Sequence, residues 1–313
     1  MSRSGRRVVL LSGGVGGAKL AEGLLSVLEP DALTVIGNTG DDITLFGLHI
    51  SPDLDILTYT LAGRVNRDTG WGLAGDSWHA LETLGALGGA DWFRLGDGDL
   101  GVHLYRTGRL RAGAGLAQVT REIAARFGVG CGIVPMCEEP VPTHIDTDEG
   151  ALHVQEYLVL RRCEPVVRGI RWVGIEAAHP APGVLEAIEA SEVVLFAPSN
   201  PLISIGTILA VPGLRAALKT ARAPKIAVSP IVGGQALKGP TAKMMRELGH
   251  PVSSAGAAAF YDGVVDRWVL DTVDADQATL VQGRGMRTAV LPTVMDSGEA
   301  KRRLASDLLA LAE

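Results

Sequence analysis

Residues 7–28 read RVVLLSGGVGGAKLAEGLLSVL, and this stretch decides the fold. Residues 7–11 (RVVLL) form a short, unbroken apolar run that stops at Ser12-Gly13-Gly14-Val15-Gly16-Gly17. A run of that length bounded by turn residues is the pattern of a parallel strand buried on both faces. Residues 18–28 then place apolar side chains at helical spacing, and residues 32–36 (ALTVI) give a second buried strand ending at Gly37-Asn38-Thr39-Gly40-Asp41-Asp42. Strand, helix and strand in that order imply a right-handed crossover and a parallel sheet.

Working outward, residues 53–127 read as mainly helical with glycine-rich interruptions. Residues 133–156 carry β segments, among which 151–160 (ALHVQEYLVL) is also read as β. The α/β rhythm returns near Arg171. Residues 192–197 (EVVLFA) and 225–229 (KIAVS) are buried strands that end in Pro198-Ser199-Asn200-Pro201 and Pro230-Ile231-Val232-Gly233-Gly234. Residues 239–248 and 254–261 are expected as helices, 267–270 as a strand and 299–311 as a closing amphipathic helix. The expected architecture is α/β: a Rossmann-like, doubly wound, mainly parallel sheet in one domain over 1–313, with a helical and small β insertion at about 53–165.

Composition narrows the function classes. Hydrophobic residues make up 47% and charged residues 20%, and the 40 glycines show no Gly-X-Y period, so a disordered or collagen-like chain is excluded. A net charge of −6 argues against a sequence-independent nucleic-acid binder. No apolar run approaches the roughly 20 residues of a membrane span, and residues 8–11 are too short for a signal-peptide core. Cys131, Cys137 and Cys163 have neither metal-finger nor CxxC spacing, which suits a reducing, cytoplasmic location.

Ligands of doubly wound folds sit beyond the carboxyl ends of the strands, where this chain gathers its Gly, Ser, Asn and Asp clusters. Gly13, Gly14, Val15, Gly16 and Gly17 with Lys19 form a loop suited to phosphate, because small residues let phosphate oxygens reach N–H groups at a helix start. Neither common fingerprint is complete. GxGxxG meets Lys19 at its last position, and GxxxxGK[ST] meets Ala18 before the lysine and Leu20 after it. With no hydroxyl after the lysine, a metal must be held elsewhere. Asp41-Asp42 and the Asp53/Asp55 pair of PDLD are the acids suited to Mg²⁺ beside a polyphosphate; Asp53 also fits a helix N-cap, leaving Asp55 the better ligand. Asp97, Asp99 and His103 form a third cluster, for which a turn and N-cap role is the structural alternative. Among the aromatic residues Tyr59, Trp71, Trp78, Trp92 and Phe93, Trp71 between two glycines suits a wall or lid, whereas Trp78 and Phe93 suit core packing.

SGGVGGAKL, GNTGDD, SPDLDILTYTLAG, GWG (70–72), DSWHALE (76–82), DWFRLGDGDLGVH (91–103), APSNPLISIGTILAVPGLRAAL (197–218) and SPIVGGQALKGP (229–240) occur in order. Together they resemble the 2-phospho-L-lactate transferase (CofD-like) family over about residues 8–270. The resemblance implies a Mg²⁺-dependent, homodimeric phosphotransferase of coenzyme F-420 biosynthesis. Such an enzyme moves a phospholactyl or phosphoenolpyruvyl group from a guanosine diphosphate-linked donor to the ribityl hydroxyl of the deazaflavin Fo and releases GMP.

By that resemblance the glycine loop, Ser199, Asn200 and Ser204 hold donor phosphates, and Ser229, Val232 and Gly233 lie toward the guanine. Asp55 contacts Fo, together with Trp71, Asp97, Asp99 and His103 of the inserted region. Asp41, Asp42 and Asp55 surround the metal, and Asp55, then Asp41, is the expected acceptor of the hydroxyl proton. Family members often carry Lys or Arg where this chain has Gly98, which shifts that role to Arg94 or Arg106. An NAD(P)-dependent oxidoreductase would need a complete GxGxxG. A non-catalytic nucleotide-binding regulator would have no use for the PDLD and GDGD acids.

Overall fold

The computed structural model describes residues 4–313. Its centre is a seven-stranded sheet made of β1 (Val8–Ser12), β2 (Leu33–Gly37), β3 (Gly132–Pro135), β4 (Val193–Phe196), β5 (Lys225–Val228), β6 (Arg267–Leu270) and β7 (Arg287–Val290). Their order across the sheet is β3-β2-β1-β4-β5-β6-β7, and every pairing is parallel. The chain therefore builds outward from β1 to β3, then restarts at β4 on the other side. That reversal opens a crevice at the carboxyl ends of β1 and β4, as expected for a doubly wound sheet.

All five residues of β1 are buried, and their alternation feeds two cores. Val9 and Leu11 pack on one face with Phe196 and Ile208, while Val8 and Leu10 pack on the other with Leu20 and Leu24 of α1 (Gly14–Leu25). Each such side chain contributes roughly 1.5–3 kcal/mol by leaving water, so the apolar run at residues 8–11 fixes β1 as the middle of the sheet.

The inserted material is two pieces, not one. Between β2 and β3 lie a hairpin (Ile43–Leu45 with Leu48–Ile50) and four helices: α2 (Pro52–Leu61), α3 (His79–Ala86), α4 (Asp97–Arg111) and α5 (Leu116–Arg126). Between β3 and β4 lies a three-stranded antiparallel sheet of Thr143–Thr147, Gly150–His153 and Val167–Trp172. The separator, β3, is a four-residue edge strand pairing Thr34↔Gly132 through Gly37↔Pro135; its residues read as β in the sequence, but as part of the insertion and not of the main sheet.

ALHVQEYLVL is strand only to His153. Residues Glu156–Leu160 close into a π-helical turn, because Glu156 reaches back to accept the His153 N–H at 2.9 Å and Tyr157 is buried against Ile145, Val154 and Val167. Arg162 and Cys163 follow with φ of 49° and 60°, a conformation that costs non-glycine residues energy and clusters at functional sites. All three cysteines are unpaired thiols. Among the described residues no helix is long and apolar enough to cross a membrane.

Candidate active site

The switch point opens into a cavity of about 890 Å³. Its floor is made where β1 and β4 end. Ser199 Oγ donates to the Gly13 carbonyl at 2.7 Å and accepts the Gly13 N–H at 3.1 Å, which ties the two strand ends together. Gly14 takes φ of +62° to start α1, and a Cβ on Gly16 would stand 2.9 Å from the Pro198 carbonyl oxygen. Glycine is thus required at one position by conformation and at the other by close approach.

Helix α1 begins facing this cavity, and its first-turn N–H groups have no intrahelical acceptor. Asp53 Oδ1 accepts that of Gly14 at 2.9 Å. Among the described residues those of Val15 and Gly16 have no side-chain acceptor. Gly13, Gly14, Val15, Gly16 and Lys19 line the cavity; Gly17 instead packs toward Ser12 and Ser199.

Asn38 organises the acids beside the loop. Its Nδ2 donates to Asp41 Oδ1 at 2.7 Å and to Asp53 Oδ2 at 2.9 Å, and Gln155 Nε2 donates to Asp41 Oδ2 at 3.2 Å. Among the described residues neither carboxylate has a Lys, Arg or His within ion-pairing distance. Burial pushes Asp53 up to about 6, against the hydrogen bonds from Asn38 and Gly14. Burial also raises Asp41 well above the usual range, and the nearby Asp53 charge adds to it.

The three acids expected around a metal do not converge. Among the described residues no three His, Cys, Asp or Glu side chains form a metal-binding group. Asp42 is turned to His49 (2.9 Å) and Ser51 (2.7 Å) and is absent from the cavity wall. Asp55 is gripped by both terminal nitrogens of Arg106, one at 3.2 Å, with His103 Nδ1 3.8 Å away. The pair that fits Mg²⁺ is Asp41 and Asp53, two buried oxygen donors with raised pKa values beside the glycine loop. Mg²⁺ is commonly held by one or two carboxylates plus substrate phosphates. Sequence reasoning divided Asp53 between cap and ligand; here its carboxylate does cap a helix, but α1, not its own.

On the far wall, α2 and α4 present Tyr59, Asp55, Asp99 and His103, joined by Trp71, Trp92 and Phe93. Burial pushes Asp99 up to about 6, with the Asp55 and Asp76 charges adding, and pushes His103 down to about 4. Trp71 is 39% exposed between Gly70 and Gly72, both at positive φ. Phe93, expected in the core, lines the cavity and meets Trp92 edge-on at 5.5 Å. Trp78 lies under the Arg94 guanidinium at 4.5 Å.

Asp97 is not on the cavity wall. It caps α3, accepting from Ser77 Oγ (2.6 Å), His79 N (3.2 Å) and Ala80 N (3.0 Å), which holds its carboxyl well below the usual range. Asp76 returns the favour to α4, accepting the N–H groups of Gly98 at 2.7 Å and Asp99 at 3.1 Å. The two helix starts cap each other, and the acid at 97 is a part of that joint.

From β4 and β5 come Ser199, Asn200, Ser204, Ser229 and Val232, all on the cavity wall. Asn200 Oδ1 shapes its own turn by accepting the Leu202 N–H at 2.8 Å. Gly233 faces away, donating its N–H to Asp274 at 3.0 Å.

Sequence reasoning passed over Lys238, Asn38, Gln155, Arg162 and Thr293. Lys238 donates to the Thr69 carbonyl at 2.8 Å and stands 2.9 Å from where a Gly70 Cβ would be. Burial, then the Lys19 charge, lowers its pKa. Lys19 and Lys238 both line this cavity, and among the described residues neither has a carboxylate partner, which favours a bound anion. The signal was present as ALKGP after Gly233-Gly234, where a lone lysine follows a tight turn. Arg106, a candidate to replace a basic side chain at Gly98, is instead committed to Asp55; Arg94 lines the cavity.

The profile of the family described as 2-phospho-L-lactate transferase CofD matches residues 8–307. The chain belongs to this family. It is 44% identical over 313 residues to a phosphoenolpyruvate transferase of Streptomyces coelicolor, covering 98% of each chain. It is 38% identical over 298 residues to a 2-phospho-L-lactate transferase of Methanosarcina mazei, covering 95% of this chain and 98% of that one. A crystal structure of a Bacillus halodurans protein matches with a TM-score of 0.65 at 17% identity, covering 97% of this chain and 99% of that one, a likeness of fold alone. The CofD-family cavity therefore belongs to a transferase.

Proposed function

We propose that this CofD-family chain acts in coenzyme F-420 biosynthesis. It transfers a phosphoenolpyruvyl group from a guanosine diphosphate-linked donor to the ribityl hydroxyl of Fo and releases GMP. The observation that carries the reading is that one cavity of about 890 Å³ holds both a phosphate loop and an aromatic-lined wall. A diphosphate on the N–H groups of Val15 and Gly16, under Lys19 and Lys238, has its charge offset on two sides. A flat tricyclic acceptor suits the wall of Tyr59, Trp71, Trp92 and Phe93. The enolpyruvyl donor is preferred because the relative at 44% identity is named a phosphoenolpyruvate transferase and the one at 38% a 2-phospho-L-lactate transferase.

Phosphoryl transfer rests mostly on positioning and charge neutralisation. Asp41 and Asp53 would hold Mg²⁺, which when bound neutralises charge on the phosphates. Asn38 and Gln155 fix the orientation of those acids. Asp99, which burial raises to about 6, is suited to bond the acceptor, and its basicity fits it to take the hydroxyl proton better than Asp55, whose oxygens are occupied by Arg106. Closure of Trp71 over the cavity would exclude water, which otherwise competes with the hydroxyl.

The test is incubation of the chain with Fo, Mg²⁺ and either the enolpyruvyl or the lactyl guanosine donor, with products followed by mass. The expected result is faster product formation from the enolpyruvyl donor. Product from neither donor would overturn the reading.

A further inference from the structure

A second cavity, of about 880 Å³, lies at the opposite, amino-terminal edge of the sheet. Six cationic side chains line it: Lys219, Arg222, Lys225, Arg267, Arg284 and Arg287; the acidic side chains on the wall are Asp266 and Glu313. The chain as a whole carries −6, so this local excess opposes its average.

The excess is built into the sheet. Adjacent strands β5, β6 and β7 begin with Lys225, Arg267 and Arg287, whereas β1 to β4 begin with Val8, Leu33, Gly132 and Val193. Arg267 and Arg287 are paired in register, and like charges on neighbouring strands are unfavourable. Neutralisation is partial. Lys225, itself only 7% exposed, lies 3.3 Å from Asp266, Arg284 lies 3.2 Å from Asp262, and Arg267 donates to the Leu311 carbonyl at 2.7 Å. Among the described residues Lys219, Arg222 and Arg287 have no carboxylate within 4.0 Å.

We propose that this cleft is a second anion site, separate from the transferase cavity, that binds a small oligophosphate. Its cations span too large a volume for one monovalent anion, and guanidinium groups match phosphate oxygens in paired hydrogen bonds. The apolar lining is aliphatic (Pro224, Ile226, Val264, Val265, Met286) with no aromatic ring to stack a base, so the phosphate chain is what is read. A two-fold contact between copies at this face would set cations against cations, which disfavours it as a self-association surface.

The test is calorimetric titration of the full chain carrying K19A/K238A, which removes the lysines of the transferase cavity, with inorganic tripolyphosphate at low salt. The expected result is one binding event that ATP reproduces within a few fold. Adding R222A/R287A, two exposed side chains without carboxylate partners, should weaken it at least tenfold while circular dichroism and melting stay unchanged. No binding in the K19A/K238A chain, binding unaffected by R222A/R287A, or binding confined to one nucleotide base would each overturn the proposal. The inference stands apart from the transferase reading, because its outcome does not depend on turnover.

Discussion

Asp53 Oδ1 accepts the backbone N–H of Gly14 at 2.9 Å, so the acid that opens α2 is bonded to the first residue of α1, 39 positions earlier. The bond brings a carboxylate to the place where phosphate is expected. Two anions side by side are tolerable only with a cation between them or a proton on the acid, and Asp53 is pushed up to about 6. In the chain without ligand, the sign follows from linkage. A carboxyl whose folded pKa is raised favours the folded state while protonated, so that contribution is lost as pH rises from about 4 to about 6. Asp53→Asn should therefore melt a few degrees above wild type at pH 7.5, a difference that vanishes near pH 4. Mg²⁺ should stabilise wild type and not the variant, as read by calorimetry.

The cationic side of the same loop gives a kinetic expectation. Lys238→Ala should lower kcat/KM for the donor by about 10–100-fold, the scale of one charge-assisted contact. The KM for Fo should stay near wild type. Steady-state kinetics with each substrate varied in turn checks this, and a change confined to the Fo KM would contradict the placement.

Arg106 and Asp55 are both buried, with side chains 2% and 8% exposed. Removing one member leaves an uncompensated charge, so Arg106→Ala should cost about 3–5 kcal/mol in urea denaturation. Replacing both, as Arg106→Met with Asp55→Leu, should recover much of that stability while abolishing turnover if Asp55 contacts Fo.

His103 is held down to about 4 by burial first, with the Asp55 charge opposing and the Arg106 charge adding to it. A histidine with a depressed folded pKa stabilises the fold above its unfolded value of about 6.5, and that contribution is lost as pH falls toward 4. Nitrogen-detected NMR should show a neutral ring at pH 6, and His103→Gln should reduce the acid sensitivity of the melting temperature in that window. A protonated ring at pH 6 would contradict the burial argument.

The sheet was legible because β1, β2, β4 and β5 are short apolar runs followed by small polar residues, a pattern that buried parallel strands cannot avoid. Residues 133–135 were legible as β but not as β3 of the main sheet, and β7 (Arg287–Val290) was not legible at all, since four residues at an edge carry too little pattern. Gly13 to Gly16, Ser199, Asn200 and Asp41 stand on the cavity wall, the positions at which their local motifs gather. What sequence could not give was which acid each base or amide claims. Arg106 takes Asp55 across 51 residues, and Asp97 serves the start of α3 from 17 and 18 residues away. Those are tertiary choices: they commit Asp55 to Arg106 and bring Asp53, rather than Asp55, against Asn38 beside Asp41. The glycines, too, divide: some leave room for a ligand, while Gly17 leaves room for Ser12 and Ser199.

The central claim is that one cavity joins the guanosine-linked donor to Fo. The most direct measurement is a single-turnover reaction of the chain with equimolar enolpyruvyl donor and Fo in Mg²⁺, quantifying GMP and the phosphoenolpyruvyl-Fo product together. The account predicts both in a one-to-one ratio, suppressed at least a hundredfold by Asp53→Asn. GMP release that proceeds equally without Fo, or product formation untouched by Asp53→Asn, would contradict it.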